Sequence, residues 1–121
     1  MGLVNRVVPA ADLLAEARAL ADRAQNGGLT LDELQGGSFS VSNLGMYGVD
    51  EFDAIVNPPQ AAILAVAAGR KRPVVRGDGL AVATVMRVSL ASDHRAIDGA
   101  VAAKFVQALK GYLENPASML L

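Results

Sequence analysis

Eight consecutive apolar residues, Ala61 to Ala68, stand just after the breaker Asn57-Pro58-Pro59 and constrain the fold more than any other stretch. The prolines bar a helix at their own position and fix an extended loop. The run itself is far below the roughly 18 residues needed to cross a bilayer. Rich in Ala, Ile, Leu and Val, it reads as a short strand covered on both faces. Such a strand needs neighbours on either side and layers above and below.

The rest of the chain offers those partners. From Ala11 to Asn26 the apolar positions Leu13, Ala17, Leu20, Ala21 and Ala24 recur at helical spacing, and Gly27-Gly28 supplies a left-handed stop. Thr30 and Glu33 have the spacing of a capping box for a short helical turn, closed by Gly36-Gly37. Ser38 to Asn43 alternates small polar residues with Phe39 and Val41, a half-buried strand, before Gly45 and Gly48 bend the backbone. Pro73–Arg76 and the long segment Leu80–Ser92 flank Gly77-Asp78-Gly79, which predicts a hairpin with Val82, Thr84, Met86, Val88 and Leu90 on one side of its second arm. Val101, Phe105, Leu109 and Tyr112 mark a last helix from near Asp98 to just before Asn115-Pro116. The sum predicts an α/β two-layer sandwich, a mixed, mostly antiparallel sheet with helices on one face.

At 121 residues the chain makes one domain, which at this size buries only part of its apolar surface. An apolar share of 52% with a mean hydropathy of +0.32 therefore suggests surface meant for neighbouring subunits. With aromatics at 4%, Ala, Val and Leu must do the packing. Eleven basic and 12 acidic residues, with only Arg70-Lys71-Arg72 as a basic cluster, argue against a nucleic-acid partner. The absence of cysteine removes disulfides, thiolate metal sites and a cysteine nucleophile, and one histidine is too few for a zinc hydrolase. With no membrane-length run and no basic-then-apolar leader, the expectation is a soluble intracellular chain.

The one histidine lies in Ser92-Asp93-His94-Arg95-Ala96-Ile97-Asp98-Gly99, between the last predicted strand and the last helix. Strand-to-helix junctions often carry active residues. A free imidazole can take a proton from a thiol or hydroxyl and return it. A structural imidazole or a solvated loop residue would look the same on these grounds, and Asp98 could hold the turn or cap the helix.

The wording of the segment narrows this. Asp-His-Arg-x-x-Asp-Gly resembles the signature of the dihydrolipoamide acyltransferases, the core subunits of 2-oxo acid dehydrogenase complexes. Gly36 to Gly48, reading Gly-Gly-Ser-Phe-Ser-Val-Ser-Asn-Leu-Gly-Met-Tyr-Gly, is similar to a second landmark of that family, and Ile55 to Leu64 to a third. The ending, Tyr112 to Leu121, also matches, so the resemblance covers roughly residues 29 to 121. It implies a chloramphenicol-acetyltransferase-like fold, here truncated to the carboxy-terminal part of the catalytic domain (residues 1–121), without lipoyl or peripheral subunit-binding domains. Met1 to Pro9 would be a shortened remnant of the strand that leads into the first helix.

The resemblance further implies transfer of an acyl group between coenzyme A and a dihydrolipoyl arm, both acting as substrates and neither bound covalently to this chain. His94 would be the general base, Ser42 the hydroxyl that stabilises the tetrahedral oxyanion, and Asp98 the residue that orients the histidine loop through backbone hydrogen bonds. Asp93 and Arg95 flank the base and are both expected to make structural ion pairs, and Asn43 either touches the site or holds a turn. Coenzyme A-binding residues are not assignable. The family's active centre lies between two subunits of a trimer, so Ser42 and His94 need not meet within one chain. Trimers build a larger core through an apolar carboxy terminus, here Met119-Leu120-Leu121, and that core works with lipoyl domains, a decarboxylase and dihydrolipoamide dehydrogenase. Gly-Met-Tyr-Gly and Asn-Pro-Pro-Gln lean towards the pyruvate branch and an acetyl group. The location implied is the cytoplasm in a bacterium or the mitochondrial matrix in a eukaryote. Two alternatives stay open: a noncatalytic assembly module that keeps the motif by descent, and an acetyltransferase for a free small acceptor, against which Arg95 and Ser42-Asn43-Leu44-Gly45-Met46 speak.

Overall fold

The structure, a computed structural model, describes Pro9, residues 11–119 and the backbone of Leu120. The strand remnant expected before Pro9 and the two terminal leucine side chains lie outside the described residues. The chain divides into two units, Met1–Gly37 and Ser38–Leu121.

The first unit carries α1 (Leu13–Gln25) and α2 (Leu31–Leu34). Gly27, at φ 68°, ends α1 as its sequence requires, and the Gly28 N–H donates to the Arg23 carbonyl at 2.7 Å. Of the predicted capping box, the Glu33 carboxylate accepts from the Thr30 N–H at 2.9 Å and from its hydroxyl at 3.0 Å. These bonds, the Thr30 N–H first and the Arg23 guanidinium second, hold the Glu33 carboxyl below its ordinary value.

The second unit contains β1 (Phe39–Asn43), β2 (Ala62–Val66), β3 (Arg70–Arg76), β4 (Gly79–Val85), β5 (Val88–Ser92) and α3 (Gly99–Glu114). One sheet has the order β1-β2-β5, with β1 parallel and β5 antiparallel to the central β2. The hairpin β3–β4 forms a separate two-stranded sheet, turning at Gly77 with φ 58°. The buried apolar residues among those described are Ala62, Leu64, Ala65 and Ala67, all within the doubly covered run predicted from sequence. Phe105 of α3 meets Phe39 of β1 at a ring separation of 5.8 Å, so α3 lies against the sheet face that Phe39 presents. In register, that face also carries Val41, Leu64 and Leu90, whereas Ser40, Ser42, Ala65 and Ser89 point to the opposite one.

Two expectations are corrected. Leu80–Ser92 is not one arm: it breaks at Met86-Arg87, where β4 stays with β3 and β5 crosses to β2. The Arg87 carbonyl accepts from the Ala67 N–H at 3.1 Å and its guanidinium pairs with Glu51, which draws the backbone onto the central strand. Val82 and Thr84 are consequently exposed, while Val88 and Leu90 are half-buried. In β1 the alternation is present, but the serines are the half-buried positions and Phe39 and Val41 are 40% and 65% exposed. On the serine side the Ser89 hydroxyl donates to Asp53 and the Ser40 hydroxyl to Gln60, which ties the loop to that face.

Candidate active site

β5 ends at Ser92, but the sheet continues one step, because the Asp93 N–H donates to the Ala61 carbonyl at 2.8 Å. The chain then turns sharply. The Asp93 carbonyl accepts from the N–H groups of Ala96 and Ile97, both at 2.9 Å, and its carboxylate accepts from the Arg95 N–H at 3.0 Å. That last bond is an Asx turn spanning His94. The Arg95 guanidinium grips the same carboxylate at 2.6 to 3.1 Å, the expected ion pair. These guanidinium bonds first, and the Arg95 N–H second, lower the Asp93 carboxyl from 3.8 to about 2. His94 stands at the apex, exposed, and its ring has no hydrogen-bond partner among the described residues.

Asp98 closes the other end of the turn. It adopts φ −76° and ψ 162°, and its carboxylate accepts from the Val101 N–H at 2.9 Å, the geometry of an N-cap on α3. It makes no hydrogen bond to His94 and so acts on the backbone of the loop rather than as a relay partner.

Ser42 sits in β1 opposite Ala65, in one row with Ser89, and is half-buried with no hydroxyl partner among the described residues. Asn43 takes the structural role: its side-chain oxygen accepts from the Gly45 N–H at 2.9 Å. Gly45 itself is required by close approach, since a Cβ there would stand 2.9 Å from the Ala67 carbonyl oxygen. The loop beyond is pinned by three acids that the sequence reading passed over. Asp50 accepts from Arg70 at 2.6 Å and lies 3.5 Å from Arg72, Glu51 pairs with Arg87, and Asp53 takes the Ser89 hydroxyl. Their spacing in Asp50-Glu51-Phe52-Asp53 gave no signal, because their partners are 20 to 36 residues away.

Register separates the two candidate side chains, Ser42 and His94. Ser42 shares a row with Ser89, two strands across, and the chain from Ser89 runs away from that row through Ser92 to His94. At roughly 3.3 Å per residue and 4.8 Å per strand, they are on the order of 15 Å or more apart, far beyond hydrogen-bond reach. A cleft of about 1040 Å³ between the hairpin and the end of α3, lined by Val74, Thr84, Met86, Val106 and Lys110 among others, includes neither.

Residues 8–121 match the family of 2-oxoacid dehydrogenases acyltransferase (catalytic domain). The dihydrolipoyllysine-residue acetyltransferase component of the pyruvate dehydrogenase complex of Rickettsia bellii is 46% identical over 126 residues, covering 99% of this chain, which spans only 30% of that protein. A structure of Azotobacter vinelandii dihydrolipoamide acetyltransferase, determined to examine the role of a serine, a histidine and an asparagine in its catalytic mechanism, is 40% identical with a TM-score of 0.85, over 91% of this chain and 45% of that one. The cubic core of a pyruvate dehydrogenase multienzyme complex gives 38% identity and a TM-score of 0.87, over 94% and 47%. The chain therefore belongs to the acyltransferase catalytic-domain family of the 2-oxoacid dehydrogenases.

Proposed function

We propose that this chain is the carboxy-terminal part of a catalytic domain that moves an acetyl group between coenzyme A and a dihydrolipoyl arm, at a site shared by two copies. The observation that carries this reading is the separation of Ser42 and His94. Among the described residues neither has a hydrogen-bond partner, His94 is exposed and Ser42 half-buried, and they stand at opposite ends of one sheet, so a histidine from one copy completes its site with a serine from the next. In the Azotobacter vinelandii protein the serine precedes the histidine by 52 positions and the asparagine follows it by four. Ser42, His94 and Asp98 are set at the same intervals, with aspartate in place of asparagine.

The chemistry follows from the groups present. His94 takes the proton of the attacking thiol, and the resulting thiolate adds to the thioester carbonyl carbon. The carbonyl oxygen becomes an oxyanion, to which the Ser42 hydroxyl of the adjoining copy donates. Collapse breaks the bond to the departing sulfur, which recovers the proton from the imidazolium. Asp98 keeps the loop on α3 in place. Copies would form trimers and a larger core, with Met119, 54% exposed, in the contact between trimers, and the core would receive lipoyl domains and act beside a decarboxylase and dihydrolipoamide dehydrogenase. No helix among the described residues is long and apolar enough to cross a membrane.

The test supplies acetyl-coenzyme A and dihydrolipoamide and measures S-acetyldihydrolipoamide. His94→Ala is expected to lose roughly 10²- to 10⁴-fold in kcat, and Ser42→Ala roughly 10²-fold or more. The two variants, dissociated and reassembled together at equal amounts, should recover about one quarter of native activity, because a quarter of randomly mixed interfaces pair an intact histidine with an intact serine. No recovery would refute the shared site, and no product from the native chain would leave the noncatalytic assembly module as the better reading.

A further inference from the structure

We propose that Asp93 is a positioning residue for His94, closing an Asx turn over the histidine that fixes where the imidazole is presented. The proposal rests on the reading of His94 as the base. Six residues, Asp93 to Asp98, join β5 to α3, and His94 is the second of them. Its ring has no hydrogen-bond partner among the described residues, so the direction of the ring is inherited from the backbone beneath it. Among the described residues, the bond that ties the backbone across His94 to a side chain is the acceptance of the Arg95 N–H by the Asp93 carboxylate at 3.0 Å, beside which the Arg95 guanidinium bonds the same carboxylate.

Asp93 is suited to this because every other part of it is anchored. Its N–H is bonded to Ala61 beside the central strand, and its carbonyl holds the N–H groups of Ala96 and Ile97. Its carboxylate is three-quarters covered, at 25% exposure, and is oriented by the Arg95 guanidinium, which is itself 87% exposed. The turn is thus built onto the sheet. Asn43 uses the same device just after Ser42, where its side-chain oxygen accepts from the N–H of Gly45, two residues on. A short polar side chain can hold a turn of this kind as either aspartate or asparagine, which separates it from a charge effect.

The experiment compares Asp93→Ala with Asp93→Asn, which keeps one oxygen for the Arg95 N–H. In the acyl-transfer assay Asp93→Ala should lose roughly 10- to 100-fold in kcat, as displacement of a catalytic group does, with KM for both substrates within about twofold. Asp93→Asn should keep kcat within about threefold of native. An independent readout is NMR: backbone {¹H}-¹⁵N NOE values at residues 94 and 95 should fall in Asp93→Ala and return in Asp93→Asn. The one histidine of the chain gives a single set of ring signals, which should broaden or shift in the same pattern. Native order in Asp93→Ala, or equal impairment of both variants, overturns the proposal. Equal turnover of His94→Ala and the native chain would instead sink the function proposed above, and the NMR comparison would still decide whether Asp93 orders the turn.

Discussion

Replacing Asp98 by alanine removes the side-chain acceptor of the Val101 N–H and leaves the first turn of α3 uncapped. The bond is 2.9 Å long and Asp98 is exposed, so water can satisfy part of what is lost. Loss of an N-cap of this type costs about 1 kcal/mol, and loss of the carboxylate charge from the positive end of the helix adds roughly 0.3–1 kcal/mol at low salt. Asparagine accepts the same bond and forfeits only the charge. For a unit of this size each kcal/mol moves the midpoint by roughly 4–8 °C, so Asp98→Ala should melt about 5–15 °C early and Asp98→Asn about 1–8 °C early. Circular dichroism at 222 nm, recorded in low salt and again in about 0.5 M salt, reads both, and salt should shrink the deficit of the asparagine variant alone towards zero. Equal losses in the two variants would show that charge, and not cap geometry, is what Asp98 contributes. A native midpoint for Asp98→Ala would show that the cap is idle.

Two further outcomes follow from local geometry. Gly45→Ala forces a Cβ to within 2.9 Å of the Ala67 carbonyl oxygen and 3.1 Å of its carbon, backbone that belongs to the end of the central run. Overpacking of this kind costs about 1–3 kcal/mol, and an unchanged urea midpoint would show that the turn after Ser42 yields freely. Asp93, lowered to about 2 from 3.8, contributes stability that is fully present above about pH 4 and is lost as pH falls towards 2. The Arg95 amide shift should titrate with that midpoint, and a midpoint near 4 would mean that the Asp93–Arg95 pairing is absent in solution.

Local signals were read correctly where local physics decides them. The doubly covered run at Ala61–Ala68, the hairpin turn at Gly77-Asp78-Gly79, the start of α3 near Asp98 and the stop at Gly27 each depend on a few adjacent residues, and each appears in the structure. The break at Met86-Arg87 does not, because alternation runs through it without a glycine or proline. It arises from partners 20 and 36 residues earlier, Ala67 and Glu51. The phase of β1 was hidden for a related reason: Phe39 and Val41 mark an apolar side, but how far it is covered depends on α3, more than 50 residues later. For the candidate site, a cap by Asp98 was one of two readings the sequence left open, and the place of His94 between the last strand and the last helix was legible. The distance from Ser42 was not, because it follows from a parallel register on one side of β2 and an antiparallel register on the other.

That register also explains why Ser42 and His94 lie where they do. Burial among the described residues is confined to the central strand and its immediate continuation, while Val75, Leu80 and Val82 on the hairpin are 74%, 81% and 74% exposed and Ile55 on the loop is 91% exposed. Apolar side chains left in water at this density gain free energy from being covered by another protein surface, at about 25 cal/mol for each Å² buried. Ser42 and His94 belong to the same incompletely covered periphery, one on an edge strand and one beyond the end of the other edge. On the proposed shared site, covering the apolar surface and completing the site would be one event. In this chain the thin core and the exposed imidazole are two consequences of a single sheet whose middle strand alone is enclosed.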